Sequence, residues 1–394
     1  MRISNTFRMW AFFLYNSGLG IFLTYGLFFQ RVSNDFGQPA LSTVLVFSTF
    51  AAVYSISAVA MGFFMDKYGA RRTILLGGTL MAVGLVLSSQ VGSIQQLMVT
   101  YGVLAGAGSG SMWLPTSYIV LGSFGPGEVK RATGMVSAGT AFGTLIFSPL
   151  EGVVISLAGW RDAFVVVGVV SFALAILAWV AASGVDRAGG FSLRGTARKV
   201  YSRRFSTMYV YYMFGNAFSR SLAMVFVAPL LEGRGLGIAG GSMALALIGL
   251  GSVFGRLTTR EKRLGEEAMA ALGFVLQGGC ILGLLYSYTI FEVAFFSLLF
   301  GLGYGVYIPQ FVLMIRKYWG VENYGAVFGV LLTSFGVGGA AGPIFEGFEV
   351  SLLGSYTVGF LLAGAMSTVV GLHFLLAGRL PHKYPRHGTV EEGS

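Results

Sequence analysis

The chain alternates long apolar runs with short polar connections. The runs cover residues 9–29, 41–64, 72–90, 97–122, 132–156, 163–183, 205–230, 239–258, 269–288, 292–315, 324–348 and 355–377. Each is long enough to cross a bilayer as a helix, because about 20 residues at a rise of about 1.5 Å span the ~30 Å hydrocarbon core. The pattern therefore predicts an all-α polytopic membrane protein with twelve transmembrane helices. The basic residues 1–8 precede an apolar run too long for a signal peptide, with no cleavage site, so that run is read as the first span. The longest connection, 182–204, is basic and glycine-bearing and separates six spans from six. The expected organisation is an N-terminal six-helix bundle (1–183), a cytoplasmic central loop (184–204), a C-terminal bundle (205–378) and a cytoplasmic tail (379–394).

One run breaks the pattern. Residues 209–230 carry Arg220 near their middle, where a guanidinium costs at least about 2.5–3.5 kcal/mol. Two readings are open. Arg220 faces a water-filled cavity, or it snorkels to an interface or pairs with a neighbouring helix. The first requires the other spans to supply a cavity.

Composition agrees with the pattern. Of 394 residues, 55% are hydrophobic and only 11% charged, and 59 are glycine against 9 proline. Small residues let transmembrane helices approach closely. The single Cys280 excludes a disulfide within the chain, and His373, His382 and His387 are too scattered for a metal cluster. No phosphate-cradling G-x-x-x-x-G-K-[ST] motif is present, which argues against ATP-driven pumping. No cofactor is expected. The net charge of +10 is explained by position. With the N-terminus inside, the cytoplasmic connections and tails hold Arg2, Arg8, Lys67, Arg71, Arg72, Lys130, Arg131, Arg187, Arg194, Arg198, Lys199, Arg203, Arg204, Arg260, Lys262, Arg263, Arg316, Lys317, Arg379, Lys383 and Arg386. The other side has Arg31, Arg161 and Arg234. This asymmetry predicts both termini in the cytoplasm. It replaces a nucleic-acid reading with a topology signal and some affinity for anionic lipid.

The halves echo each other. Gly106-Ala-Gly108-Ser-Gly110 precedes Pro115 in span 4, and Gly301-Leu-Gly303-Tyr-Gly305 precedes Pro309 in span 10. Span 5 carries Pro149-Leu-Glu151-Gly152 and span 11 Pro343-Ile-Phe-Glu346-Gly347. Repeated halves point to a transporter with its site near the midplane, between them.

The connection between spans 2 and 3 reads Gly62-Phe-Phe-Met-Asp66-Lys67-Tyr-Gly69-Ala-Arg71-Arg72. It resembles the G-x-x-x-D-[RK]-x-G-[RK]-[RK] signature of the major facilitator superfamily, with one residue between Gly69 and the arginine pair. The resemblance implies two pseudo-symmetric six-helix bundles. It also implies a tight cytoplasmic turn whose charges latch helix ends in the outward-open state; a solvated charge cluster is the alternative. Within the superfamily the chain looks most like the monocarboxylate and oxalate–formate transporters. Lys130-Arg131-Ala132-Thr-Gly134-Met-Val136-Ser-Ala138-Gly139 is similar to their span 5 pattern, and Tyr101-Gly-Val-Leu-Ala-Gly-Ala-Gly-Ser-Gly110 to their span 4. Gly251-Ser252-Val-Phe-Gly255-Arg256 is similar to the span 8 helix whose arginine binds the substrate carboxylate. Asn16-Ser-Gly18-Leu-Gly20 sits where many members begin with an acid. The chain departs from the pattern at Asn16, at Ser252 one turn before Arg256, in the absence of a span 11 lysine, and in the shortened turn 258–263.

The resemblance implies that spans 1, 4, 7 and 10 line the cavity. Their residues near the midplane are Tyr15, Asn16 and Ser17, Ser109, Ser111 and Trp113, Asn216 and Arg220, and Tyr304 and Tyr307. Asn216 and Arg220, four apart, share a helical face, and arginine's planar fork can grip a carboxylate at two points. Tyrosine and tryptophan offer an apolar wall with a polar tip, though each aromatic alone can equally face lipid or core. Arg256 lies ~12 Å from its span's centre by the helical rise, as a substrate contact or as an interfacial anchor with Arg260 and Arg263. Glu151 and Glu346 are candidate proton carriers, cavity caps or partners of Arg220, with Glu151 the deeper. His373 is read as packed.

The expected function is secondary transport of a small organic anion, a monocarboxylate, by proton-coupled alternating access. The expected setting is the cell membrane, with no nucleic-acid partner and a functional monomer. Arg220, Arg256, Asn216, Asn16, Tyr304, Tyr307 and Trp113 form the expected binding set. Gly62, Asp66, Lys67, Gly69, Arg71 and Arg72 form the gate. The alternatives are an efflux carrier for amphipathic compounds, an organic-anion exchanger, or a membrane receptor or scaffold; short tails and a short central loop count against the last.

Overall fold

A computed structural model describes residues 3–125, 128–184, 201–257, 265–319 and 324–376, with the side chains of Phe63, Asp66, Leu121, Lys130, Val312, Arg316 and 324–326 left aside. Most of the central loop, the turn 258–264 with Arg260, Lys262 and Arg263, and the tail from 377 lie outside the described residues. So do Arg187, Arg194, Arg198, Lys199, His382 and His387, and the side chain of Asp66 in the expected gate.

The described residues form helices and turns. Ten continuous helices are long and apolar enough to cross a membrane: Ala40–Gly62 within span 2, Ala70–Ser88 (span 3), Arg131–Ala158 (5), Trp160–Ala181 (6), Arg203–Gly233 (7), Gly237–Leu257 (8), Glu266–Leu285 (9), Ile290–Trp319 (10), Val327–Leu353 (11) and Thr357–Leu376 (12). Span 1 is a bent pair, Asn5–Leu23 and Gly26–Phe36, meeting at 46°. Span 4, expected as one run, is assembled from Ile94–Leu97, a π-helical stretch Met98–Ala105, Gly106–Ser109 and Trp113–Ser123. A second π-helical stretch, Tyr212–Phe218, interrupts span 7. Irregular backbone at membrane depth is tolerated where protein buries it, and π turns recur at functional sites. Both stretches lie in spans expected to line the cavity.

Glycine sets how closely the spans pack. A Cβ on Gly301 would lie 2.0 Å from the Ile248 carbonyl oxygen, and one on Gly251 2.0 Å from that of Leu298, so spans 8 and 10 touch backbone to backbone. This is the close-packing role expected of the glycine runs. Across the halves, span 2 packs along span 11 and span 5 along span 8.

Two faces follow from the side-chain contacts. On the face where span 1 begins, the near face, Asn5 bonds the Ser123 carbonyl at 2.9 Å and Arg8 bonds the carbonyls of Ala181 and Ser183 at 3.1 and 2.9 Å. Arg71 reaches the Trp179 carbonyl at 3.2 Å, with its guanidinium 4.1 Å from that indole ring. Within the expected gate, Gly69 turns the chain between spans 2 and 3 at φ 88°, a conformation glycine adopts without cost. Lys67 lies over the Tyr68 ring at 5.1 Å, Arg72 is exposed, and a Cβ on Gly62 would lie 3.3 Å from Leu114. Arg71 thus ties span 3 to span 6 within its own half.

On the opposite, far face the halves are latched together. Arg31 of span 1 pairs with Glu232 of span 7 at 2.6 Å, the Leu41 amide donates to Ser351 Oγ at 3.2 Å, and the rings of Phe29 and Phe226 lie 5.0 Å apart. Asp35 accepts from Arg161 and from the Trp160 indole.

Candidate functional site

Between the halves lies a cavity of about 40 Å³. That is room for roughly three waters, at about 10–15 Å³ each by this measure. Leu19 and Phe22 of span 1, Trp113 of span 4, Arg220 and Tyr212 of span 7, and Tyr304, Ile308 and Phe311 of span 10 line it. Those are the four expected spans. Tyr54 of span 2, Thr140 of span 5, and Phe328, Leu332 and Phe335 of span 11 complete it. The wall is aromatic, and Arg220 is its charged residue.

Arg220 is 3% exposed. Its Nε donates to Asn216 Oδ1 at 2.9 Å, and its guanidinium carbon lies 5.0 Å from the Tyr304 ring centre and 5.2 Å from that of Phe335. Among the described residues it has no ion-pair partner, and neither Glu151 nor Glu346 lines the cavity. The cation is held by an amide, two ring faces and the Met224 thioether, to which Nη1 donates at 3.6 Å, and this leaves further guanidinium N–H groups for a ligand.

The amide is fixed from behind. Asn216 Oδ1 also lies 2.7 Å from the Tyr307 hydroxyl, which sits 2.8 Å from Gln277 Oε1. Gln277 in turn donates to the Gly215 carbonyl at 2.8 Å and to Ser367 Oγ at 3.0 Å. Asn216 itself does not line the cavity; it stands behind Arg220, and its Nδ2 is buried without a hydrogen-bond partner. Asn216 stands in the π-helical stretch one turn before Arg220, so that stretch carries half of the arrangement.

Arg256 is 2% exposed, packed inside the protein. Its Nη1 donates to the Ser137 carbonyl across the halves and its Nη2 to the Tyr304 hydroxyl at 3.3 Å, with the guanidinium carbon 5.4 Å from that ring. The two arginines therefore converge on Tyr304. Trp113 lines the wall opposite, its ring 6.3 Å from Phe328.

Other expected residues lie elsewhere. Asn16 does not line the cavity; its Nδ2 donates to Thr116 Oγ1 at 3.1 Å and to the Val136 carbonyl at 3.3 Å, tying spans 1, 4 and 5. Tyr15 bonds the Ile74 carbonyl at 3.1 Å. Ser17, Ser109 and Ser111 bond carbonyls of their own helices. Tyr307 stands behind the wall, in the network. His373 bonds the Tyr211 hydroxyl. Glu346 lies on the far side beside Glu349 and near Tyr356, on the connection between spans 11 and 12. Burial and the carboxylates of Glu346 and Glu232 push the Tyr356 hydroxyl up to about 12. Sequence reasoning missed Gln277 and Thr140. Gln277 had a signal, as a long polar side chain inside apolar span 9.

Known proteins agree with this architecture. The Major Facilitator Superfamily profile matches residues 9–286 and 213–393. Monocarboxylate transporter 14 of Mus musculus is 30% identical over 42% of this chain, a match that spans only 32% of that relative's own length. Human monocarboxylate transporter 11 is 23% identical over 96% of this chain and 83% of its own. A probable sulfoacetate transporter of Cupriavidus necator is 26% identical over 89% and 88%. In fold, the chain is similar to a bacterial homologue of the human lysosomal transporter Spinster, solved inward-facing and occupied. The TM-score is 0.69 with 16% identity, over 94% of this chain and 96% of that one. From the twelve spans, the paired halves and the profile that covers nearly all of them, the chain belongs to the Major Facilitator Superfamily of membrane transporters.

Proposed function

We propose that the protein is a secondary transporter of a small organic anion, a monocarboxylate, working by proton-coupled alternating access. One observation carries this reading: Arg220 is buried at the inter-half cavity with no ion-pair partner among the described residues. A buried cation without a counter-ion is costly, and an anionic ligand relieves that cost. Arg220, held from behind by Asn216, grips the carboxylate, Arg256 assists from the other side of Tyr304, and the aromatic wall takes the apolar remainder. The relatives named for monocarboxylates and sulfoacetate support an acid-bearing substrate. The basic near face is the cytoplasmic one, with both termini inside the cell and the monomer as the working unit. Asp66, Lys67, Arg71 and Arg72 steady the near side when the far side opens.

A second reading, efflux of amphipathic compounds, draws on the rings of Phe22, Phe311, Phe328 and Phe335 in the wall. Arg220 repels lipophilic cations, so the two readings differ in the sign of charge they accept. Uptake of labelled lactate into proteoliposomes, with and without an acid-outside gradient, tests the first. Uptake is expected to fall at least about tenfold in Arg220→Ala, for a lost charge-assisted contact worth about 1.5–3 kcal/mol. A smaller loss is expected in Arg256→Ala. Equal uptake by the wild type and both variants rules out the assigned roles.

A further inference from the structure

Each half buries one glutamate that nothing satisfies. Glu151 in span 5 and Glu346 in span 11, 1% and 0% exposed, have both carboxyl oxygens without a partner among the described residues. Their surroundings differ. Glu346 fills a slot over Gly359, where a Cβ would lie 1.4 Å from its Oε2. Beside it, Glu349 accepts from the amides of Val358 and Gly359 at 2.8 and 2.6 Å. Glu346 thus packs from span 11 against the start of span 12.

Glu151 sits where two spans lose regularity. Its neighbours are Thr24, at the break in span 1, and Tyr101, in the π-helical stretch of span 4. Thr24 donates its proton to the Ile21 carbonyl at 2.7 Å, so it offers Glu151 only a lone pair. The Tyr101 hydroxyl is itself buried without a partner. An ionised carboxylate here gives up its hydration with no hydrogen bond from the protein in return. The neutral acid avoids that cost and offers a proton that a lone pair such as that of Thr24 Oγ1 can accept. The other titratable group nearby, Tyr25, donates to the Thr43 carbonyl at 2.9 Å. The charged groups of the packed spans are engaged elsewhere or exposed. On span 1, Arg31 pairs with Glu232 and Asp35 with Arg161 of span 6, while Asp162 of span 6 is exposed. Arg256 of span 8 bonds Ser137 and Tyr304.

From Tyr101 a run of rings reaches the cavity. Its ring lies 5.1 Å from Phe50, Phe50 lies 5.3 Å from Phe22, and Phe22 lies 6.1 Å from Phe335, which faces Arg220. Tyr101 is thus joined to the wall beside the guanidinium by contacting rings.

We propose that Glu151 is the proton-carrying carboxyl of the transport cycle. It holds its proton while the far face is latched, as here, and exchanges it with water when spans 1 and 7 separate there. The transport part of this rests on the proton-coupled reading above; the protonation part does not. The first measurement is the carbonyl stretch of a protonated carboxyl in infrared difference spectra of the purified protein at neutral pH. In the Glu346→Gln background, which removes the other buried carboxyl, a band is expected that adding Glu151→Gln abolishes and adding Glu151→Asp shifts. A band that persists unshifted in both double variants overturns the assignment. The second is lactate uptake into proteoliposomes. The acid-outside gradient is expected to stimulate the wild type and Glu151→Asp, while the stimulation ratio of Glu151→Gln falls to one; wild-type-like stimulation in Glu151→Gln also overturns it. A wild type that takes up no lactate refutes the transport reading and leaves the infrared band to decide Glu151.

Discussion

At the scale of single residues, the site is a chain of hydrogen bonds that ends in a cation. Ser367, Gln277, Tyr307 and Asn216 hand on from spans 12, 9 and 10 to Arg220 in span 7. Removing the hydroxyl in Tyr307→Phe takes away the one proton that lies within reach of both Asn216 Oδ1 and Gln277 Oε1, which leaves a buried oxygen short of a donor and frees the Asn216 amide to rotate. Leaving such a group unsatisfied costs about 1–3 kcal/mol. Anion affinity measured by calorimetry is expected to weaken about tenfold while the fold is retained; unchanged affinity means the network does not position Arg220. Arg220 was legible from its place in an apolar run, because a charge at membrane depth demands an explanation. Its partners in the tertiary structure were not. Tyr304 and Tyr307 read as equivalent in the sequence, yet one is wall and the other support. Asn16 and Asn216 look alike as polar breaks in spans 1 and 7, and only one of them faces the cation. Which way a side chain points depends on the rotation of its helix, and glycine-rich spans packed on all sides carry little periodic signal for that.

At the scale of elements, glycine and irregular backbone do most of the positioning. Span 1 lies against span 5 where a Cβ on Gly143 would sit 1.9 Å from the Ser17 carbonyl oxygen. Any side chain there must move a backbone, since the obstacle is not a flexible chain end. Gly143→Val is expected to part spans 1 and 5 and cost more than the ~0.5–3 kcal/mol of most substitutions. A fall in melting temperature of several degrees checks it, and an unchanged melting temperature contradicts the backbone contact. The apolar runs gave the twelve spans, and the glycine repeats gave the close contacts of spans 8 and 10. The break at Thr24 and Tyr25 and the two π-helical stretches left no mark in hydropathy, since they change the path of the chain and not its polarity. The π-helical stretch in span 7 sets Asn216 beside Arg220, and the one in span 4 holds Tyr101.

At the scale of the whole molecule, the halves meet tightly on the far face through Arg31–Glu232, Leu41–Ser351 and Phe29–Phe226. Spans 2 with 11 and 5 with 8 form the long contacts between the halves. The repeat was legible in paired motifs such as Pro149 to Gly152 and Pro343 to Gly347, which predicted a site between the halves. Its lining was read too narrowly, because the contributions of spans 2, 5 and 11 come from how the halves interlock. The account's central claim is that the cavity is an anion seat built on Arg220. The measurement that tests it most directly is the thermal stability of the purified protein with lactate, sulfoacetate or a lipophilic cation, for the wild type and Arg220→Ala. A ligand that binds the folded state raises stability by about 2.7 kcal/mol at a hundredfold excess over its dissociation constant. The account predicts stabilisation of the wild type by at least one of the acids, none by the cation, and loss of the acid effect in Arg220→Ala. Stabilisation by the cation, or by an acid equally in both proteins, contradicts it.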